Sequence, residues 1–123
     1  QTDQRFHVYI GDDASPHDPS ELLRSFKNRL HFTYHHFDTN LGQVSLVQQW
    51  DRCIALTNDE DWLMLLGDDD VLGNTVVENF YQSLDAITQK DISVVKFATV
   101  TLDEEGNKET SLTPYIVGTT SSP

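Results

Sequence analysis

The stretch Trp62-Leu63-Met64-Leu65-Leu66-Gly67-Asp68-Asp69-Asp70 limits what this chain can fold into more than any other. Five apolar residues without polar alternation suit a strand covered on both faces, as in the middle of a parallel sheet flanked by helices. Gly67 lets the chain turn at the end of that strand, and three carboxylates follow at once. In open α/β sheets, ligands bind at the C-terminal ends of strands. Three adjacent like charges repel one another. The simplest compensation is a divalent cation, and carboxylate oxygens are hard ligands suited to Mg²⁺ or Mn²⁺. The competing reading is a solvated acidic loop with no ligand, since short motifs of this kind are weak alone.

The rest of the chain alternates strand and helix around that run. Phe6–Ile10 is a β-rich segment ending in the turn Gly11-Asp12-Asp13-Ala14-Ser15-Pro16. Asp18 and Pro19 suit the cap and first position of a helix whose apolar stripe is Leu22, Leu23, Phe26 and Leu30. Phe32–Phe37 predicts a second strand and Asp38–Gly42 a polar loop. Val44, Leu46, Val47, Trp50, Cys53, Ile54 and Leu56 predict a second helix ending near Asn58. Asn74 can cap a third helix with Val76, Val77, Phe80, Tyr81, Leu84 and Ile87 on its apolar face. Ile92–Leu102 predicts a long strand, Asp103–Asn107 a turn, and Ser111–Val117 a returning strand that completes a C-terminal β-hairpin. The order β-α-β-α-β-α-β-β predicts an α/β fold, a mainly parallel sheet with helices on both faces. At 123 residues this is a single domain.

Charge narrows the partners. The net charge of −12 opposes nucleic acid and anionic membrane as partners. An anionic nucleotide would need a metal or a local cation to mediate its binding. Cys53 is the single cysteine, which excludes an internal disulfide and suits a reducing compartment. No apolar run reaches membrane-spanning length. Trp50 and Trp62 fall on apolar faces and are expected in the core.

Two acidic strand ends therefore stand out, Asp12-Asp13 and Asp68-Asp69-Asp70. Four segments occur in order: Asp12-Asp13-Ala14-Ser15, Asn40-Leu41-Gly42, Gln49-Trp50-Asp51-Arg52-Cys53, and Leu65–Leu72 with its acidic centre. Together they resemble the family 2 glycosyltransferases, whose nucleotide-sugar-binding domain has the GT-A fold. The resemblance covers most of the chain. It implies a truncated GT-A-type domain, with the first strand and the acceptor-binding half, including the general base, outside residues 1–123. It also implies a nucleoside-diphosphate sugar as donor, most simply a UDP-sugar, and Mn²⁺ or Mg²⁺ as cofactor.

By position in the motifs, Asp13 and Asp12 would accept from the nucleobase and Asp68 from a ribose hydroxyl. Asp69 would reach the metal, with Asp70 as helper. Arg52 would place positive charge near the nucleotide or form a surface ion pair. Gly67 stands where the family motif usually carries an acidic residue, which shifts the triplet by one position. The resemblance places the parent protein in the cytoplasm, reaching a membrane only through segments not included here. Without its first strand, the sheet would close by pairing Phe6–Ile10 directly with Trp62–Leu66, or a second copy would donate a strand and make a homodimer, or Phe6–Ile10 would shift and pair elsewhere.

Two readings compete. A response-regulator receiver domain also clusters acidic residues around Mg²⁺, with Asp12, Asp13 and Asp68 as the acidic set and Lys96 as its lysine. Against it, Asp12 and Asp68 are far apart for such a domain, and Lys96 lies inside an apolar run. The other is a metal-binding module without catalysis.

Overall fold

The computed structural model describes residues 1–103 and 105–107. They form a small α/β structure with a two-stranded parallel sheet and three helices. The chain divides into two compact units, Gln1–Val77 and Glu78–Pro123.

The first unit holds β1 (Val8–Asp12), α1 (Ser20–Phe26), β2 (Phe32–His36) and α2 (Leu46–Ile54). β1 and β2 run parallel, with Val8 opposite Phe32 and Asp12 opposite His36. β1 starts two residues later than its apolar run suggests and takes in Gly11 and Asp12. The ladder explains the shift: Val8 N–H donates to the His31 carbonyl (3.0 Å), and Phe37 N–H donates to the Asp12 carbonyl (2.8 Å). α1 is the crossover that a parallel pair requires. Its cap falls one residue later than expected, because Leu23 N–H donates to the Pro19 carbonyl (2.9 Å). Asp18 instead accepts from the Ser20 amide (2.9 Å) and hydroxyl (2.5 Å). Leu23, Phe26 and Leu30 are half-buried, although Leu30 lies beyond the helix; Leu22 is exposed.

α2 starts at Ser45, whose hydroxyl accepts from Gln48 N–H (3.3 Å), so Val44 precedes the helix and is exposed. The helix packs on β1 at Gly11. A methyl group there would meet Cys53 Sγ and stand 3.1 Å from Phe37 Cε2, so the close approach requires glycine. Trp50, expected in the core, is exposed instead. Gln49 and Cys53, one helical turn apart, hold the inward positions.

The expected central strand is not built as a strand. Leu63, Met64, Leu65 and Leu66 are 49%, 49%, 48% and 53% exposed, and no ladder includes them. A run apolar on both faces needs neighbours on both edges and helices above and below. Among the described residues the two strands pair only with each other, so direct pairing of β1 with Trp62–Leu66 does not occur. Acidic residues bracket the run, Asp59–Asp61 before it and Asp68–Asp70 after it, all exposed.

In the second unit, α3 (Val76–Gln89), which begins at the boundary, shows the expected apolar face. Ile87 is buried at 6% exposure, and Phe80, Tyr81 and Leu84 are half-buried. The helix closes in a Schellman motif. Asp91 adopts φ 53°, its N–H donates to the Thr88 carbonyl (3.1 Å), and Ile92 N–H donates to the Ile87 carbonyl (3.0 Å). The long strand expected over Ile92–Leu102 is reduced to one bridge residue, Leu102. Its hairpin partner Ser111–Val117 lies outside the described residues. The turn between them is present: Gly106, at φ 81°, donates its N–H to the Asp103 carbonyl (2.9 Å). No helix among the described residues is long and apolar enough to cross a membrane.

Candidate functional site

The C-terminal ends of β1 and β2 carry the densest polar network of the first unit. Asp12 closes β1, and register puts it opposite His36. Alternation puts Tyr34 on the same face as His36. The Tyr34 hydroxyl donates to Asp12 Oδ2 (2.6 Å), and His36 Nδ1 lies 3.2 Å from the same oxygen. Asp12 Oδ1 accepts from the Ser15 amide (2.8 Å), which the left-handed turn at Ala14, φ 61°, brings round. The Tyr34 hydroxyl first, then the Ser15 amide, hold the Asp12 carboxyl below the usual carboxylate range. The carboxylate in turn pushes the Tyr34 hydroxyl up to about 12.

Asp13 reaches a different part of the chain. Its Oδ1 accepts from Leu41 N–H (2.7 Å) and its Oδ2 from Gly42 N–H (2.8 Å). Arg52 Nη2 also donates to Oδ1 and forms an ion pair with it. Burial pushes the Asp13 carboxyl up, but the two amides and the guanidinium outweigh it, and the net direction is down. Gly42 is required here, because a Cβ would stand 2.6 Å from Asp13 Oδ2. The loop then passes directly into α2, since the Leu41 carbonyl accepts from Ser45 N–H (2.8 Å).

Arg52 is held on every side. Its Nε donates to Gln49 Oε1 (2.5 Å) and its Nη2 to the Thr39 carbonyl (2.9 Å). The guanidinium lies 3.9 Å from the centre of the Phe37 ring. Gln49, buried at 8% exposure, also donates Nε2 to the Gly11 carbonyl and to Cys53 Sγ, both at 3.3 Å. Burial raises the Cys53 thiol above its ordinary range, so it is a packed side chain and not a ready nucleophile.

Three of the four segments singled out in the sequence thus meet at one strand edge: Asp12-Asp13, Asn40-Leu41-Gly42, and the helix bearing Arg52. The fourth does not join them. Asp68, Asp69 and Asp70 are exposed and lie on a tight turn, where Asp70 N–H donates to the Gly67 carbonyl (3.3 Å) and Gly67 N–H to Asp70 Oδ2 (3.2 Å). Asp68 and Asp69 make no side-chain hydrogen bond, and no ion pair involves the triplet, among the described residues. Their oxygens are hard donors left available to a cation. Among the described residues no group of three or more His, Cys, Asp or Glu side chains is placed to hold a metal ion.

Sequence reasoning missed Tyr34, His36, Phe37 and Gln49. The first two become visible once the register is known. Gln49 was legible as the residue three before Arg52 and four before Cys53, on one helix face. No protein-family model matches the chain, and no curated protein or solved structure matches it either.

Proposed function

We propose that this chain is a nucleotide-binding α/β unit whose site is the C-terminal edge of β1 and β2. Within that class, the reading supported best is the donor-binding part of a family 2-like glycosyltransferase, taking a UDP-sugar with Mn²⁺ or Mg²⁺. The observation that carries it is the convergence of Asp12-Asp13, the Asn40–Gly42 loop and Arg52 on one strand edge.

The chemistry follows from acceptor counting. A carboxylate offers about four lone-pair directions. Asp13 has three taken by Leu41, Gly42 and Arg52; Asp12 has three taken by Tyr34, His36 and Ser15. Each keeps room for about one more donor. The edge therefore suits a ligand that brings N–H and O–H groups, as uracil and ribose do. Arg52 is spent on Asp13, so the charge of a diphosphate needs a cation; Asp69 and Asp70 would hold it, with Asp68 toward the ribose, only once the Asp68–Asp70 turn is brought to this edge. When bound, that cation neutralises negative charge on the leaving diphosphate.

Calorimetry with UDP in the presence of Mn²⁺ tests the reading. The wild type is expected to bind; Asp13→Asn should bind about tenfold more weakly, because its amide nitrogen cannot accept. Asp69→Ala should lose the metal dependence. Equal UDP affinity in all three proteins would sink the assignment, and stable phosphorylation of Asp68 by acetyl phosphate would identify a receiver domain instead.

A further inference from the structure

A recess lies at the other end of the same strands. The first unit contains five Lys and Arg residues: Arg5, Arg24, Lys27, Arg29 and Arg52. Arg5 is paired with Asp3 and Arg52 with Asp13. Arg24, Lys27 and Arg29 form no ion pair among the described residues, although they belong to a chain of net charge −12. They follow one another from the end of α1 into the turn before β2, and Arg24 and Lys27 line the recess, of about 400 Å³. Leu23, Leu30 and Phe32 are half-buried and form its floor; Arg24, Lys27 and His31 are exposed and form its rim. An adjoining recess of about 340 Å³ shares Lys27, Leu30 and His31 and adds Arg29. Asp18 exerts a weaker pull on Arg24 and is itself engaged by Ser20.

We propose that this recess binds a small organic phosphate. The phosphate would lie between the Arg24 guanidinium, which can donate two parallel hydrogen bonds, and the Lys27 ammonium. The apolar body would rest on Leu23, Leu30 and Phe32. Three features carry the inference. The cations are concentrated on one short segment, while the chain as a whole repels anions. No carboxylate forms an ion pair with them among the described residues. The volume lies in the range of small-molecule sites, and its lining combines an apolar floor with a few polar groups. The site is distinct from the Asp12-Asp13 edge, because a five-residue strand at about 3.3 Å per residue puts its two ends about 13 Å apart.

The test is an NMR titration of the ¹⁵N-labelled chain with phenyl phosphate, with phenol and inorganic phosphate as separate arms. Phenyl phosphate should give saturable shifts at the amides of Arg24, Lys27, His31 and Phe32, weakening as salt rises. Inorganic phosphate should bind more weakly and phenol not at all. The double variant Arg24→Gln, Lys27→Gln changes two exposed side chains and should bind at least tenfold more weakly, with the β1–β2 amide shifts unaltered as proof of folding. Absence of saturable shifts, equal affinity in the double variant, equal affinity for inorganic phosphate, or shifts centred on Asp12 and Asp13 would each overturn the proposal. Because UDP is not the probe, failure of the nucleotide reading leaves this result standing.

Discussion

Asp12 and Asp13 are neighbours in the chain but hold different parts of it. Asp12 fastens β2 through Tyr34 and His36; Asp13 fastens the loop after β2 and, through Arg52, the helix after that. Both carboxyls are shifted down, so what they add to stability is present above the unfolded value near 4 and lost as pH falls through the lower folded values. Tyr34 is shifted the other way, to about 12. Its contribution is complete below the unfolded value near 10 and disappears as pH rises from about 10 to about 12. Thermal melts should therefore show a plateau between those limits. In an NMR titration Tyr34 should ionise near 12, and Asp12→Asn should bring it back toward the ordinary tyrosine range. Ionisation of Tyr34 near 10 in the wild type would contradict the hydrogen bond. Gly42→Ala should separate the loop from Asp13, seen as loss of the distinctive Leu41 and Gly42 amide shifts, because the added methyl takes the place of Asp13 Oδ2.

Among the elements, α2 is where local signals and tertiary packing agree. Ser45→Ala removes the cap and should cost about 1 kcal/mol in denaturant unfolding. Gly11→Ala forces a methyl against Cys53 and Phe37 and should cost about 1–3 kcal/mol, partly recovered in the double variant with Cys53→Ala. Full additivity of the two changes would show that they do not touch. The two strands and three helices described were all legible as apolar runs of the right period. What could not be read locally was set by partners. β1 extends to Asp12 because β2 supplies the rungs, and Tyr34 joins the site through a register that no single segment encodes. Trp50 was misplaced for a related reason: counting it among the apolar positions overlooked Gln49, a polar side chain that can be buried because Gly11, Arg52 and Cys53 all take hydrogen bonds from or give them to it. The carboxylate pair at the end of β1 was legible as an acidic strand end, whereas the three protein contacts that each carboxylate takes were not.

For the molecule as a whole, two features oppose each other. The Leu63–Leu66 run is about half exposed, and the edges of the sheet carry no further strand among the described residues. An exposed apolar segment and an open sheet edge are each surfaces for self-association. The charge of −12 resists that approach. The balance should appear as concentration-dependent self-association in light scattering, strengthened by salt, which screens the repulsion. Leu65→Lys places a charge within the run and should suppress it; unchanged association in that variant would show that the contact lies elsewhere. Temperature adds a further consequence. Apolar contact weakens on cooling, because its driving force near room temperature is the entropy of the released water. Solutions of this protein should therefore disperse when chilled and cloud on gentle warming, well below the temperature at which α2 and the β1–β2 pair come apart.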